Sequence, residues 1–427
     1  MSKILPEKFK EPITALRQLI TATAIWIVAP FLTWLIPRNS DLLTIIGRSG
    51  FSDNSKYFFI RAALWAAEKP VRQAVFLTGD RVVLEQINEA GGEAIFHPSV
   101  QSLWLLLRCG VIATDVSIWF DYGAFPLTLG AKRIQMWHGA PLKHIELAEF
   151  ERRLANMSPI AQALLKIHKQ VIGRYPKYDG VVATSKSFIT AAFASSFRAK
   201  EFLATGYPRN DILLKSPALG TLAERLALIN VDTKAIHDTA QARANGQLVC
   251  LYAPTFRKDM GRPFDTVLDL GRLSEFAVRH RMLIVMKLHP FLEGKEAIGQ
   301  YSNLMEYEAS ADVYPLMPQV DLLITDYSSI FFDFLLLDRP IIFLIHDLEN
   351  YLQHDRAMYF DFDSMTPGAK CRNQADLENV LMEIQNRSGA DDYVEQRHRI
   401  RSFTHDWTDS QSAERLLTHY VKNGGSD

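Results

Sequence analysis

The sequence predicts an α/β protein built from two parallel, doubly wound sheets. Short apolar runs rich in β-branched residues alternate along the chain with stretches of helical periodicity. The alternation begins near Asp41, lapses after residue 214 and resumes at Gln247, which indicates two such units. Polar loops follow several of the apolar runs, and ligands of such sheets bind outside the carboxyl ends of the strands. We therefore expect the functional residues in those loops.

An uncharged apolar stretch precedes the first unit. Residues 19–36 read LITATAIWIVAPFLTWLI and are bracketed by Arg17 and Arg38. The stretch is just long enough to cross a bilayer as a helix, although Pro30 interrupts it. Three interpretations stay open: a helix or hairpin-like insertion in the membrane interface, a single span, and a buried core helix. The first is favoured, and residues 1–38 are predicted to form a membrane-associating segment.

The first unit is predicted to cover residues 39–215. Its apolar runs predict seven strands, at residues 42–46, 74–77, 94–96, 111–114, 133–137, 180–183 and 201–204. The sequence GRSGFSDNSKY, residues 47–57, is predicted to be a polar loop before a helix that ends at Ala67. Further helices are predicted at residues 81–90, 150–172 and 185–197.

The second unit is predicted to cover residues 216–372, after a connection at residues 214–245 that includes helical material at 223–229. Strands are predicted at residues 248–253, 282–287, 322–325 and 341–344, and helices at 264–280, 313–320 and from Ile330. Residues 373–427 are predicted to form two or three amphipathic helices that pack across both units.

Composition excludes several classes of function. The formal net charge is −1, so nothing indicates a nucleic-acid partner. Cys109, Cys250 and Cys371 are odd in number and far apart, which gives neither a disulfide framework nor paired metal-ligand spacing. Three widely spaced cysteines with no predicted pairing are typical of a protein in a reducing compartment. We predict no metal and no cofactor.

The stretch DLLITDYSSIFFDFLLLD, residues 321–338, changes from strand to polar turn to helix. The turn is expected to aim free backbone N–H groups and the hydroxyls of Ser328 and Ser329 at the mouth of the sheet, which would make an anion site. Asp333 follows one helical turn later, and because a carboxylate repels phosphate we expect it to meet a ligand hydroxyl or a basic partner. An ordinary capped helix in an α/β core is the alternative.

Two loops of the first unit also carry reactive side chains. WHGAPLKH follows a predicted strand, and His138 within it has the pKa range of a base near neutrality. Gly139 allows an unusual backbone conformation or close approach of a ligand. GYPRND follows the strand predicted at residues 201–204, and Arg209 within it is positioned to bind a phosphate or a carboxylate. A loop histidine taken alone is more often structural.

Five motifs in order, WHGAPLK, GYPRND, YAPTFR, KLHP and TDYSSIFFDF, resemble the CDP-glycerol glycerophosphotransferase family of teichoic acid and capsule synthesis. FSDNSKY, RPIIFLIHDLENY and YFDFDSMTPG are also similar to it, so the resemblance covers residues 41–371. Ala140 stands where the family more often has threonine. Lys287 and Leu288 stand where it often has arginine and proline.

The resemblance implies two Rossmann-like domains of the glycosyltransferase B type, facing a cleft. A hydroxyl of a lipid-linked or polymeric acceptor would attack the β-phosphate of a CDP-polyol, either CDP-glycerol or CDP-ribitol, and CMP would leave. The resemblance then implies roles for the motif residues. His138 would be the general base, and Asp333 would bind a donor hydroxyl or orient a histidine. The diphosphate would be bound by His289, Arg209, Ser328 and Ser329, and the nucleotide by Pro254 and Thr255. The other residues expected to contact the substrates are Gly139, Ala140, Pro141, Leu142, Lys287 and Leu288.

Two other functions stay open at this stage. A glycosyltransferase that uses a nucleotide sugar would need much the same loops. A membrane-bound scaffold without catalysis would be expected to have lost His138 or His289, and both are present. For the enzyme we expect peripheral attachment at the cytoplasmic face of the cell membrane, because the nucleotide donor is cytosolic.

Overall fold

The computed structural model describes residues 27–47, 50–116, 125–171, 175–255, 268–288, 298–348 and 357–422. Within these residues the predicted pair of parallel sheets is present. Residues 1–26 of the predicted membrane segment and His289 lie outside the described residues.

The first sheet has seven parallel strands in the order β3-β2-β1-β4-β5-β6-β7. Each predicted strand of the first unit is confirmed, and most extend a few residues further toward the amino end. Their bounds are β1 Asn39–Ile46, β2 Gln73–Thr78, β3 Ala94–Phe96, β4 Cys109–Thr114, β5 Lys132–Gln135, β6 Lys177–Val182 and β7 Arg198–Leu203. The central strands are buried on both faces, as expected of a sheet covered by helices.

The helices of this unit depart from the prediction in three places. The helix Asp53–Ala67 begins inside the predicted polar loop, because Asp115, sixty residues away, accepts the Ser55 N–H at 2.8 Å and satisfies its first turn. The helix predicted at 150–172 is two helices, Glu146–Leu154 and Pro159–Val171, since proline begins the second. The helix Val100–Arg108 was not predicted. The other helices are Arg81–Glu89, Lys186–Phe188, the π-helix Ile189–Phe193, Ala194–Ser196 and Asp211–Leu214, with 3₁₀ turns at Phe125–Thr128 and Pro208–Asn210.

The second sheet has six parallel strands in the order β10-β9-β8-β11-β12-β13. The four predicted strands are confirmed as β8 Leu248–Tyr252, β9 Met282–Met286, β11 Leu322–Thr325 and β12 Ile341–Leu344. The edge strands β10, Leu304–Glu306, and β13, Ala369–Cys371, were missed, because each includes a charged residue and so lacks the uninterrupted apolar run that marks Ala94–Phe96.

The helices around the second sheet range from four residues at Phe362–Met365 to thirteen at Gln374–Asn386. A helix at Thr233–Ala244 lies within the predicted connection. The remaining bounds are Leu222–Ala227, Leu270–Arg279, Ile330–Phe334, Phe362–Met365, Gln374–Asn386, Val394–Thr404 and Ser412–Leu417, with 3₁₀ turns at Ile298–Gln300, Met317–Gln319 and Leu335–Leu337 and a π-turn at Thr418–Lys422. The carboxyl-terminal stretch is therefore helical, as predicted.

The two sheets are joined by a continuous buried interface. One apolar cluster includes residues of both units, and Phe188 from the first packs edge-on against Phe332 from the second, with ring centroids 5.3 Å apart. The chain returns to the first unit in its last helices. There Asp211 accepts the N–H groups of Ser412 and Ala413, each at 2.9 Å.

The amino-terminal helix covers residues 27–35 of the described chain. Ala29 is buried, whereas the side chains of Ile27, Phe31 and Trp34 are 72%, 61% and 79% exposed. Arg38, just after the helix, donates to the Leu127 carbonyl at 2.8 Å and ties the segment to the first unit. Among the described residues, no helix combines the length and apolar character that a membrane span needs.

Candidate active site

A cavity of about 240 Å³ opens where loops from the carboxyl ends of the two sheets meet. The first unit contributes the loop after β5, and the second contributes the turn after β11 together with Thr255 after β8. The lining residues are Trp137, His138, Gly139, Ala140, Pro141, Leu142, Lys143, Ile145, Thr255, Tyr327, Ser328 and Ser329. Among these described lining residues there is no carboxylate, and Lys143 is the one permanent cation. The cavity therefore suits an anion.

His138 lies at the edge of this cavity and is half-buried. Its Nδ1 is 3.1 Å from the main-chain oxygen of Asp115. Because a carbonyl oxygen can only accept, Nδ1 carries the proton in the neutral ring and the lone pair is on Nε2. The backbone just before it is strained, since Trp137 has φ of +55°.

Asn54 holds this strained loop in place and was missed as a functional residue. Its side chain is fully buried and donates from Nδ2 to the Trp137 carbonyl at 2.8 Å. Its Oδ1 accepts the N–H of Arg209 at 3.2 Å, so one amide joins two of the predicted ligand loops. The motif FSDNSKY contains Asn54, but the sequence alone does not show that it faces the loop of His138.

The backbone of Gly139 approaches the serine turn of the opposite unit. A Cβ at position 139 would lie 2.9 Å from Ser329 Oγ, closer than packed side chains tolerate. Glycine leaves room for this hydroxyl, which a larger residue would force to turn or move. The loop of His138 and the turn of Ser328 and Ser329 thus form opposite walls of one cavity.

The turn after β11 differs from the expected array of free amides. The Asp326 Oδ1 atom accepts the N–H of Tyr327 at 2.6 Å and that of Ser328 at 3.2 Å, so these two donors are used within the turn. The same atom accepts from Thr255 N and Oγ1, at 2.8 and 2.6 Å. Asp326 therefore joins the turn to the loop after β8. Ser328 and Ser329 line the cavity, and their contact with phosphate stays a prediction.

Arg209 and Asp333 lie behind the cavity wall. The Nη2 of Arg209 is 2.6 Å from Asp333 Oδ2, and its Nη1 is 2.7 Å from Asp53 Oδ1. Asp333 was expected to meet a ligand hydroxyl or a basic partner, and in the structure it has the basic partner Arg209. Arg209 is 3% exposed and does not line the cavity, so its predicted contact with phosphate is not part of this geometry.

The remaining predicted residues lie at varying distances from the cavity. Pro254 is half-buried directly before the lining residue Thr255, and Leu288 is buried in the apolar core of the second unit. Lys287 points away, donating from Nζ to the Glu308 carbonyl at 2.8 Å, and burial lowers its pKa to about 8. His289 lies outside the described residues, so its role stays a prediction.

The model of the family described as CDP-Glycerol:Poly(glycerophosphate) glycerophosphotransferase matches residues 29–422. The chain belongs to this family. It is 30% identical over 352 residues to the teichoic acid poly(glycerol phosphate) polymerase of Bacillus spizizenii, covering 78% of this chain and 81% of that polymerase. It is 25% identical over 420 residues to the teichoic acid glycerol-phosphate primase of Bacillus subtilis, covering 93% of this chain and 95% of the primase.

This glycerophosphotransferase also shares its fold with a solved relative. The structure of the wall teichoic acid polymerase TagF superposes with a TM-score of 0.66 at 19% identity, covering 90% of each chain. The match between this chain and the teichoic acid poly(glycerol phosphate) polymerase of Bacillus subtilis, by contrast, covers only 32% of that polymerase's length. The family match makes the protein a transferase of the glycerophosphotransferase kind and does not favour the nucleotide-sugar enzyme or the scaffold.

Proposed function

We propose that the protein transfers a polyol phosphate, with glycerol phosphate favoured, from a CDP-polyol to a hydroxyl of a lipid-linked or polymeric acceptor. CMP is the second product, and the polymer is of the teichoic acid or capsular kind. One observation carries the proposal: a cavity whose described lining residues include no carboxylate unites His138 on one wall with Ser328 and Ser329 on the other. A base opposite a phosphate site is the arrangement that phosphoryl transfer to a hydroxyl needs.

In the proposed mechanism, Nε2 of His138 accepts the proton of the acceptor hydroxyl. The acceptor oxygen forms a bond to the β-phosphorus, and the bond from that phosphorus to the oxygen bridging it to the α-phosphorus breaks. The electron pair of the broken bond leaves with CMP. Hydrogen bonding of Nδ1 to the Asp115 carbonyl supports this role, because it orients the ring and leaves the basic pair on Nε2.

The negative charge of the diphosphate needs compensation at the cavity. Lys143 lines the cavity beside the serine turn, and we propose that it supplies a positive charge there. The hydroxyls of Ser328 and Ser329 would donate to phosphate oxygens, and the following helix adds a weak dipole. We also propose that His289 contributes to the same site, as the family resemblance implies.

The domain boundaries follow from the same proposal. Residues 39–215 would bind the acceptor, because they carry the base, and residues 216–372 would bind the CDP-linked donor. Residues 373–427 would pack across both: Ser412 and Ala413 donate to Asp211 of the first unit, and His398 lies 2.6 Å from Asp338 of the second.

We further propose that the enzyme is held peripherally at the cytoplasmic face of the cell membrane. The exposed apolar side chains of Ile27, Phe31 and Trp34 support an interfacial helix, since single water-facing tryptophans and phenylalanines of this kind suit the headgroup region. A lipid-linked acceptor would then be presented to the enzyme at the surface where it resides.

An acceptor-dependent assay of CMP release tests the proposed function. The purified full-length protein is mixed with CDP-glycerol, CDP-ribitol or a nucleotide sugar, with and without lipid-linked acceptor. We expect CMP from a CDP-polyol only when acceptor is present. Release of nucleoside diphosphate from the nucleotide sugar, with no CMP from either CDP-polyol, would overturn the proposal in favour of a glycosyltransferase.

A further inference from the structure

The guanidinium of Arg209 connects three different elements behind the cavity. It donates from Nη1 to Asp53 at 2.7 Å and to the main-chain oxygen of His138 at 2.9 Å, and from Nη2 to Asp333 at 2.6 Å. Asp53 begins the first helix of the first unit, and Asp333 belongs to the helix that follows the serine turn of the second. One side chain therefore binds the base-bearing loop and both units together.

The charges around Arg209 argue against a direct role in binding phosphate. Burial lowers its pKa, but Asp333 and Asp53 outweigh burial, so the pKa is raised well above its ordinary value. Two carboxylates already neutralise the guanidinium within hydrogen-bonding distance. A diphosphate would have to displace one of these carboxylates from a buried position, leaving it without its partner.

The contact with Asp333 continues into a second buried group of polar residues. Tyr314 donates its hydroxyl to Asp333 Oδ2 at 2.7 Å, and its N–H is accepted by Asp312 at 3.1 Å. Asp312 in turn pairs at 3.0 Å with Lys56, which lies on the first helix of the opposite unit and is fully buried. The hydrogen-bonded chain thus crosses between the units twice.

We propose that Arg209 is a positioning residue, which fixes the main chain of His138 against the serine turn, and that its pair with Asp333 locks the two units in the arrangement that transfer requires. The inference rests on the proposed function for the role of His138. It assigns to Arg209 a task different from the phosphate contact that the sequence predicts. An experiment can refute this inference without refuting the proposed function, because the arrangement of the two units can be measured without measuring turnover.

The variants that test this must avoid leaving a buried charge unpaired, so truncation of Arg209 to alanine is unsuitable. In Arg209→Lys the charge stays, but a single ammonium cannot reach Asp53, Asp333 and the His138 carbonyl in the fork geometry of a guanidinium. In Asp333→Asn the side-chain shape stays and the ion pair is lost. Arg243→Lys is the matched control, because Arg243 pairs with Asp321 at the surface of the second unit.

Donor binding and turnover are measured separately, by calorimetry with CDP-glycerol and by CMP release at saturating donor. For Arg209→Lys we expect an unchanged donor dissociation constant and a turnover lowered by about 10²-fold, the size of effect that an ångström-scale misplacement produces. Arg243→Lys should match the parent in both. A weakened donor affinity with parental turnover at saturation would show a phosphate ligand and overturn the inference, as would parental values for both quantities.

The lock itself is measured by the distance between spin labels in the unliganded protein. Lys69→Cys labels an exposed position of the first unit. Asn379→Cys labels an exposed position on the helix Gln374–Asn386, which is attached to the second unit through the Glu378–Arg272 ion pair. Cys109, Cys250 and Cys371 are buried and do not compete for label. We expect one narrow distance distribution for the parent and a broader one for Asp333→Asn. An identical distribution in both would overturn the lock, even if the parent releases CMP. A parent with a narrow distribution and no CMP release would instead refute the proposed function alone.

Discussion

Gly139 and Ser329 come from different sheets, yet a Cβ on Gly139 would lie only 2.9 Å from the Ser329 hydroxyl oxygen. This close approach brings the loop of His138 next to the serine turn, where the proposed base and the proposed phosphate site face each other. It also joins two motifs that are 190 residues apart, roughly half the chain, in a single geometric constraint. The Arg209–Asp333 ion pair, which lies behind the cavity wall, also connects the two units near this point.

Replacing Gly139 by alanine should therefore push the two walls apart. We expect a turnover loss of about 10²-fold, since displacement of the reacting groups by an ångström has that effect. The added Cβ would be 3.8 Å from the Cβ of Ser329, so Ser329→Ala should restore part of the lost turnover in the double variant. CMP release measures the effect.

Gly299→Ala is the control for that experiment, because nothing lies within 4 Å of a Cβ at position 299. It should behave like the parent. If Gly139→Ala turned over normally, or if Ser329→Ala simply added its own loss, the close approach would not be what limits the cavity.

The hydroxyls of Ser328 and Ser329 are expected to bind donor phosphate. Replacing both with alanine should weaken donor binding by about 1.5–3 kcal/mol for each hydroxyl, as an upper range for hydrogen bonds to a charged group. The fold should survive, because Asp326 holds the turn through the backbone N–H groups of Tyr327 and Ser328. Calorimetry with CDP-glycerol measures the change, and unaltered affinity with a parental melting temperature would remove the serines from the site.

The sequence predicted all seven strands of the first sheet, four of the six strands of the second and the loops that meet at the cavity, because apolar runs and the residues after them are local features. It did not predict how the amides of the serine turn are used. The sequence shows that Asp326 lies two positions before Ser328. Its contact with Thr255, however, depends on the pairing of β8 with β11, which the sequence does not show. The burial of Arg209 between Asp53 and Asp333 could not be predicted either, because these residues are far from it in the sequence and meet only in the folded protein.

Buried His405 should make the protein sensitive to acid. Burial is the main reason that its pKa is lowered to about 4, and nearby Arg401 and Arg209 lower it while Asp333 opposes them. The unfolded chain takes up this proton near pH 6.5, whereas the folded protein does so only near pH 4. Stability from this residue is therefore present above pH 6.5 and is lost as the pH falls to 4, by about 3 kcal/mol in total.

Urea unfolding of the parent and His405→Gln between pH 4 and 7 checks this prediction. The difference in unfolding free energy between the two should shrink as the pH falls, since the variant lacks the proton uptake. A difference that stays constant across this pH range would contradict the assignment.

Attachment through the amino-terminal helix predicts binding to vesicles of phosphatidylglycerol and phosphatidylethanolamine. The full-length parent should float with such vesicles, and Phe31→Ser combined with Trp34→Ser should float much less, because both side chains are exposed and apolar. Leu219→Ser serves as the control, since Leu219 is 88% exposed in the connection between the units. A parent that stays entirely with the soluble fraction would refute membrane attachment.

The role of His138 is the central claim, and its substitution tests the account most directly. Acceptor-dependent CMP release is measured for the parent and His138→Ala at saturating CDP-glycerol, with donor affinity and melting temperature determined on the same samples. We predict a turnover lowered by about 10²–10⁴-fold or more, the usual contribution of a general base, with donor affinity and melting temperature like those of the parent. Near-parental turnover in His138→Ala would contradict the account, and so would loss of the folded state, which would make the histidine a support of the strained turn after Trp137.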